Sequence, residues 1–266
     1  MLVLKIGGSI IDQDLTSIAK DLKTLWDDGE KIVLVHGGGK LVNKTADQMG
    51  IKQEFVTSVS GFRSRYTDEE TLNVIEMVLA GKVNKDIVRL LAEYGIPAIG
   101  LSGIDGKIIE AEKKRRLKII DSRGKKRFIE GDYSGRPKKI NAEPLRLLLN
   151  NGYVPVLASL GLGQRHEILN LDGDRVAAHI AVSLASEQLL ILTDVKGLYL
   201  DEELVTTLPA EELKLIIKRV EKGMKKKLHA CEEGLQMGLK EAVIASGLRE
   251  NPVRSAKENK ECTTIS

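Results

Sequence analysis

Leu2-Val3-Leu4-Lys5-Ile6-Gly7-Gly8-Ser9 reads as a buried strand that carries one charge and breaks into glycine where a helix should start. An unbroken run of branched apolar residues marks a strand covered on both faces. In open α/β sheets, ligands bind in the crevice outside the carboxyl ends of the strands. A lysine there, beside glycines whose backbone N–H groups can face outward, can hold an anion, phosphate above all. Taken alone, Lys5 reads equally well as a surface residue in a strand-to-helix turn.

The rest of the chain repeats the pattern. Helical spacing over 17–29 (Ile18, Leu22, Leu25, Trp26) is followed by an apolar run over 31–35 that breaks into His36-Gly37-Gly38-Gly39, and then by a helix to Gly50. Asp68 can cap a helix that runs to Tyr94 with a kink at Gly81, and 97–101 is a short strand. Residues 107–139 alternate apolar and charged positions around the turn-prone Asp121-Ser122-Arg123-Gly124, which predicts antiparallel hairpins projecting from the body. Helices follow over 142–152, 174–186, 210–221 and 224–238, and strands over 154–159, 168–171, 188–192 and 242–244. This alternation predicts an α/β fold, a mostly parallel open sheet in a three-layer αβα sandwich.

At 266 residues the chain can bury a sizeable core, as one large domain or as two lobes sharing a sheet. Its 42% hydrophobic and 30% charged residues suit a soluble protein, and no apolar run approaches membrane-spanning length. The first strand begins at residue 1, so no leader peptide and no membrane partner are expected, and the cytosol is the expected location. Cys231, Cys262 and the four histidines lack metal-ligand spacing, so no protein metal site is expected. His179 lies on an apolar helical face and reads as a satisfied core histidine.

The net charge of +3 is unevenly placed. Residues 113–139 hold twelve Lys or Arg against Asp121, Glu130 and Asp132, a local excess of nine that leaves the remainder at −6. Such asymmetry suits an acidic partner, with a solvated heat-adapted surface as the alternative. Only Phe128 and Tyr133 are aromatic there, a thin stacking platform for single strands. No nucleic-acid partner is therefore expected, and a ligand-sensing or nucleic-acid-binding module is the weaker reading.

No GxxxxGK[ST] or GxGxxG stretch occurs; Gly37-Gly38-Gly39-Lys40 has the wrong spacing for the first. What does occur, in order, is Lys5-Ile6-Gly7-Gly8-Ser9, Val35-His36-Gly37-Gly38-Gly39, Gly61-Phe62-Arg63 and Gly81-Lys82-Val83-Asn84-Lys85. Asn170-Leu171-Asp172-Gly173-Asp174, Thr193-Asp194-Val195-Lys196-Gly197 and Gly223-Met224-Lys225-Lys226-Lys227 follow. Together these motifs resemble the amino acid kinase family, acetylglutamate kinase branch, over nearly the whole chain. The run Arg63-Ser64-Arg65-Tyr66-Thr67-Asp68 replaces the valine and threonine usual after that arginine. It resembles the kinases that act on 2-aminoadipate or glutamate tethered to the small acidic carrier LysW.

The resemblance implies a carbamate kinase-like fold with two lobes, 1–168 binding the phosphoryl acceptor and 169–266 binding ATP, with Mg2+ arriving as MgATP. It implies that Lys5 and Lys227 neutralise the transferring phosphoryl group and that Asp174 holds both lysines; a plain N-cap is the other reading of Asp174, and both roles could hold at once. Gly37, Gly38, Gly39, Arg63 and Asn170 would bind the acceptor; Gly7, Gly8, Ser9, Thr193, Asp194 and Gly197 would bind ATP. Lys113, Lys114, Arg115, Arg116, Lys125, Lys126 and Arg127 would hold the carrier. An acetylglutamate kinase is the alternative within the family. Without the N-terminal helical extension of arginine-inhibited relatives, a homodimer is expected.

Overall fold

The computed structural model describes residues 1–121, 123–220 and 222–266; Ser122 of the predicted turn and Glu221 at the end of the predicted 210–221 helix lie outside them. Eight strands form the central sheet: β1 Leu2–Ile6, β2 Ile32–His36, β3 Ala98–Ser102, β4 Val154–Ala158, β5 Gln188–Thr193, β6 Thr207–Leu208, β7 Glu241–Ser246 and β8 Cys262–Ile265. Their spatial order is β6-β8-β7-β5-β1-β2-β4-β3. All neighbours run parallel except β7 and β8. Strands from residues 1–168 occupy one half of this sheet and those from 169–266 the other, meeting where β1 pairs with β5.

Alternation along β1 decides which layer each side chain enters. Leu2, Leu4 and Ile6 join a core that includes Ile18, Leu22, Val74 and Ile87 on one face. Val3 joins Val33, Val35, Ile191 and the apolar side of the Gly173–Ser183 helix on the other. Lys5 shares the parity of Val3, so the strand aims its one charge at that helix. The sandwich is therefore three-layered, as the alternation predicts.

The predicted 107–139 hairpins are present: Ile109–Lys113 pairs with Gly135–Ile140, and Arg116–Ile120 with Lys126–Glu130. The Gly124 turn is tied by the Asp121 carboxylate, which accepts from the Arg123 and Lys125 amides at 3.0 and 2.9 Å. The Glu54–Ser58 and Arg63–Tyr66 hairpin was not anticipated. It completes a four-stranded sheet by pairing with Arg116–Ile120, a non-local contact that local pattern does not announce. Gly81 falls within a π-helical stretch, Met77–Val83, between the Glu69–Glu76 and Asn84–Glu93 helices. Such turns often mark functional sites. The capping expectation holds, because Asp68 accepts from the Thr71 amide at 2.8 Å.

This stretch delivers Asn84 into the core. Its Nδ2 donates to Val156 O at 2.9 Å and Leu101 O at 3.2 Å, and lies 3.2 Å from Nε2 of fully buried His36. The Gly37 carbonyl can only accept, so Nδ1 carries the proton and donates to Gly37 O at 2.9 Å, which leaves Nε2 as the unprotonated nitrogen facing the Asn84 amide. Burial, opposed by the Gly37 carbonyl and reinforced by the Lys5 charge, pushes the His36 pKa down to about 4.

In the unfolded chain His36 takes up its proton near pH 6.5, whereas the folded protein resists to about 4. The unfolded state binds more protons between these values, so stability falls as pH falls through this window. The slope due to this group is about 1.4 kcal/mol per unit. Urea unfolding of wild type and His36→Gln at pH 7, 5.5 and 4.5 should show this component of the slope in wild type alone; equal slopes would refute it.

Candidate active site

Lys5 is held rather than merely buried. Its Nζ lies 2.6 Å from Asp174 Oδ1, and both side chains are 7% exposed. Lys227 Nζ, on the Lys222–Gln236 helix, approaches Asp174 Oδ2 at 4.0 Å. Burial acts to raise the Asp174 pKa, but the charges of Lys5 and then Lys227 outweigh it and hold the carboxyl below its ordinary value. Two cations thus share one buried anion, and the cluster carries a surplus positive charge.

The N-cap alternative for Asp174 is overturned. Asp172 caps the Gly173–Ser183 helix, its Oδ1 accepting from the Asp174 and Arg175 amides at 3.0 and 3.3 Å. That leaves Asp174 in the first turn with its carboxylate free for the lysines. A cap two residues before a second acid, as in Asp172-Gly173-Asp174, is legible in the sequence once the helix start is fixed. Geometry also separates three adjacent lysines that charge alone cannot. Lys225 donates to Ser60 O at 3.0 Å, Lys226 lies 3.7 Å from Asp172, and Lys227 alone faces Asp174.

The glycine turns after β1 and β2 face each other above Lys5. A Cβ on Gly8 would lie 3.1 Å from the Gly38 nitrogen and 3.2 Å from that of Gly39. Among the described residues the amides of Gly8, Gly38 and Gly39 have no hydrogen-bond partner, so three N–H groups at these adjoining turns are left to bind an anion. Gly7 and Gly37 are not part of this cradle as expected, because their amides donate to Leu192 O and Ile6 O. Ser9 Oγ and Thr193 Oγ1 both donate to Asp194 Oδ1, at 3.1 and 3.0 Å, which brings these three residues together at the adjoining ends of β1 and β5. Gly197 is buried away from them; a Cβ there would lie 2.4 Å from Thr263 Oγ1.

A cleft of about 950 Å³ opens from the glycine cradle and is lined by Gly8, Gly37, Gly38, Gly39, Arg63 and Asn170 together with Arg65. Sequence reasoning gave Arg65 no role, although strand spacing puts it on the same face as Arg63. Both guanidinium groups lie over the Phe55 ring, at 4.7 and 5.0 Å. Arg65 is fixed by Gln53, Asn43 and Gly39 O, without an acid among these partners. Asn170 Nδ2 donates to Thr67 Oγ1 at 3.1 Å, leaving Oδ1 as the acceptor. Asp132, buried within the basic segment, receives the Thr67 amide at 2.7 Å and so fixes that arrangement.

The basic segment divides. Lys114, Arg116 and Lys118 line the cleft, whereas Lys126 and Arg127 are exposed on the outer strand, Lys125 is exposed just before it, and Arg115 is exposed at the far end of the hairpin next to Gly131. Lys113 is turned onto the Tyr133 ring, 3.8 Å from its centroid. His179 is a satisfied histidine, 3.0 Å from Glu233 Oε1, which also takes a bidentate pair from Arg175 at 2.6 and 2.7 Å. Among the described residues no group of three or more His, Cys, Asp or Glu is placed to hold a metal ion, and no helix is long and apolar enough to cross a membrane.

The sequence model of the amino acid kinase family matches residues 1–246. A protein of Cenarchaeum symbiosum (strain A), provisionally named a LysW-aminoadipate/LysW-glutamate kinase, is 49% identical over 265 residues, covering 100% of this chain and 99% of its own. The LysW-aminoadipate/LysW-glutamate kinase of Sulfolobus acidocaldarius is 38% identical, over 98% of each chain. Among solved structures, N-acetylglutamate synthase from Neisseria gonorrhoeae shares the fold, with a TM-score of 0.81 at 23% identity over 100% of this chain and 59% of that one.

Gly8→Ala tests the cradle, since its methyl would crowd the Gly38 and Gly39 nitrogens at 3.1 and 3.2 Å. Calorimetric titration with inorganic tripolyphosphate should show at least a tenfold loss of affinity in protein that circular dichroism shows to be folded. Wild-type affinity in the variant would count against an anion site at these amides.

Proposed function

Because the chain belongs to the amino acid kinase family, we propose that it transfers the γ-phosphoryl group of ATP to the side-chain carboxylate of 2-aminoadipate or glutamate tethered to an acidic, LysW-type carrier. The product is an acyl phosphate in lysine biosynthesis, or arginine biosynthesis where glutamate is carried. The observation that carries the transfer chemistry is the Lys5–Asp174–Lys227 cluster, with the unpartnered amides of Gly8, Gly38 and Gly39 at the turns that follow β1 and β2. The carrier is supported by the names of the full-length relatives and by the lysines and arginine that line the cleft.

An acceptor carboxylate is ionised near neutral pH, so no general base is needed. The difficulty is bringing it against a polyanion, which makes catalysis a matter of positioning and charge neutralisation. Lys5 stabilises charge on the transferring group and Lys227 charge on the leaving side. Asp174 spaces the two lysines and receives no proton. Gly8, Gly38 and Gly39 donate their amides to phosphate and acceptor oxygens. Arg63 takes the α-carboxylate bidentately, and Asn170 Oδ1 accepts from the amide N–H of the tether. Ser9, Thr193 and Asp194 line the nucleotide in the 169–266 half of the sheet, and the acceptor lies toward the 1–168 half. Mg2+ would arrive with the nucleotide, as this ion commonly does, and would add to the neutralisation of phosphate charge that Lys5 and Lys227 provide. Carrier docking engages the exposed basic hairpin, Lys114 and Arg116 nearest the cleft. A homodimer in the cytosol belongs to the same proposal and rests on the family resemblance; sedimentation checks the dimer.

The deciding assay measures ATP turnover with carrier-bound aminoadipate, carrier-bound glutamate and free N-acetylglutamate on one preparation. Turnover with both carrier substrates, or strongly with one, and little with the free acid is expected. Equal rates on the free acid would replace the carrier reading with that of an acetylglutamate kinase. Lys5→Met and Lys227→Ala should each lower kcat by about 10²–10³, as loss of one transition-state donor does elsewhere. An unaffected kcat in Lys227→Ala would overturn the kinase reading.

A further inference from the structure

Lys227 is the loosely held member of the charge cluster, 4.0 Å from Asp174 where Lys5 is at 2.6 Å. Its placement therefore depends on where its helix sits. Lys225 and His229, two residues to either side, are separated by one helical turn and share a face. Two residues turn a helix by about 200°, so Lys227 projects from the opposite side. That shared face is backed by the 58–62 turn, which joins the unanticipated hairpin. Lys225 Nζ donates to Ser60 O at 3.0 Å and lies 5.2 Å from the centroid of the Phe62 ring. The His229 ring packs on the same Phe62, with centroids 5.2 Å apart and planes at 38°.

The turn is stiff enough to act as a backstop. Ser58 N donates to Phe62 O and Gly61 N to Ser58 O, both at 2.9 Å, and Phe62 N donates to Ser58 Oγ at 3.1 Å. Gly61 has φ +83°, where a side chain would be strained, and a Cβ there would lie 3.0 Å from Lys225 Nζ. The next residue is Arg63, the expected grip for the acceptor. We propose that Phe62, Lys225 and His229 form a clasp that positions Lys227 for phosphoryl transfer and ties that placement to the acceptor held by Arg63. The inference rests on the kinase reading. The three are positioning residues, acting through Lys227. A displacement near 1 Å of a group at the reacting centre can cost about 10²-fold in rate, so a clasp of this kind has measurable weight.

Phe62 and His229 also line the cleft, and the test separates a clasp from a mere wall of the acceptor pocket. It begins with wild-type turnover of ATP with carrier-bound aminoadipate, carrier-bound glutamate and free N-acetylglutamate; absence of turnover with all three would end the kinase reading and the clasp with it. Given turnover, Phe62→Ala and His229→Ala should lower kcat by about 10- to 100-fold, while the Kd of a nonhydrolysable ATP analogue changes less than threefold. His229→Phe keeps a ring against Phe62 and should recover most of kcat. The Phe62→Ala/His229→Ala double variant should be no slower than the slower single variant. A kcat for His229→Phe as low as that for His229→Ala, a rise confined to acceptor KM, or multiplicative losses in the double variant would each overturn the clasp and leave the kinase reading intact.

Discussion

A lysine in the middle of a parallel sheet is an expensive residue, and the charge contact between Lys5 and Asp174 is what makes it tolerable. Removing an ammonium ion from water costs several kcal/mol even after relaxation, and a close opposite charge is the usual offset. Asp174 provides that offset at 2.6 Å. It is then asked to serve Lys227 as well, so two positive groups share one negative group in a dry place. The surplus is a standing preference for an anion. The three amide N–H groups of Gly8, Gly38 and Gly39, which have no hydrogen-bond partner among the described residues, extend the same preference by fixed backbone dipoles.

The neighbours of this cluster are arranged so as not to spoil it. His36 ends the strand beside β1, and a protonated imidazole there would add a second buried cation next to Lys5. Burial, reinforced by the Lys5 charge, keeps it neutral down to about pH 4, with the Asn84 amide 3.2 Å from its Nε2. Asn84 reaches that position because the chain changes to π-helical pitch over Met77–Val83. The same stretch supplies Leu79 and Val83, whose methyl groups would lie 2.7 and 3.2 Å from a Cβ on Gly38. The π-helical segment thus supports the glycine cradle from below and fixes the histidine through its last turn.

Much of this was legible in the sequence because it depends on local features. Apolar runs, glycine stops and cap residues place six of the eight central strands, all but Thr207–Leu208 and Cys262–Ile265, and most helices within a few residues, and the motifs single out Lys5, Asp174 and Lys227, which the fold brings together. What local pattern could not supply was pairing across long separations. Glu54-Phe55-Val56-Thr57-Ser58 is partly exposed and carries no strong alternation, and it becomes a strand only against Arg116–Ile120. With that hairpin unseen, Arg65 and the 58–62 turn had no place, although Arg63 did. The glycines show the same limit. Motif identity cannot tell a glycine that offers its amide, as Gly8 does, from one that spends it on Leu192 O, as Gly7 does, or from one that makes room for Thr263, as Gly197 does.

The two concentrations of positive charge in this chain differ in kind. Residues of the basic hairpin are largely in water, where fields fade over a Debye length of about 8 Å at physiological salt. Such charges act on encounter: they raise the rate at which an acidic macromolecule arrives and weaken as salt rises. The Lys5–Asp174–Lys227 cluster is shielded from solvent ions, so its field at the reacting atoms is nearly independent of salt. Under the proposed function, arrival and chemistry are therefore governed by separate groups, and Lys114, Arg116 and Lys118 on the cleft wall border both. A long basic hairpin would be surplus for a small dicarboxylate, which diffuses into a cleft unaided. It has a physical use where the acceptor is attached to something large and acidic that must be oriented before its tether can enter.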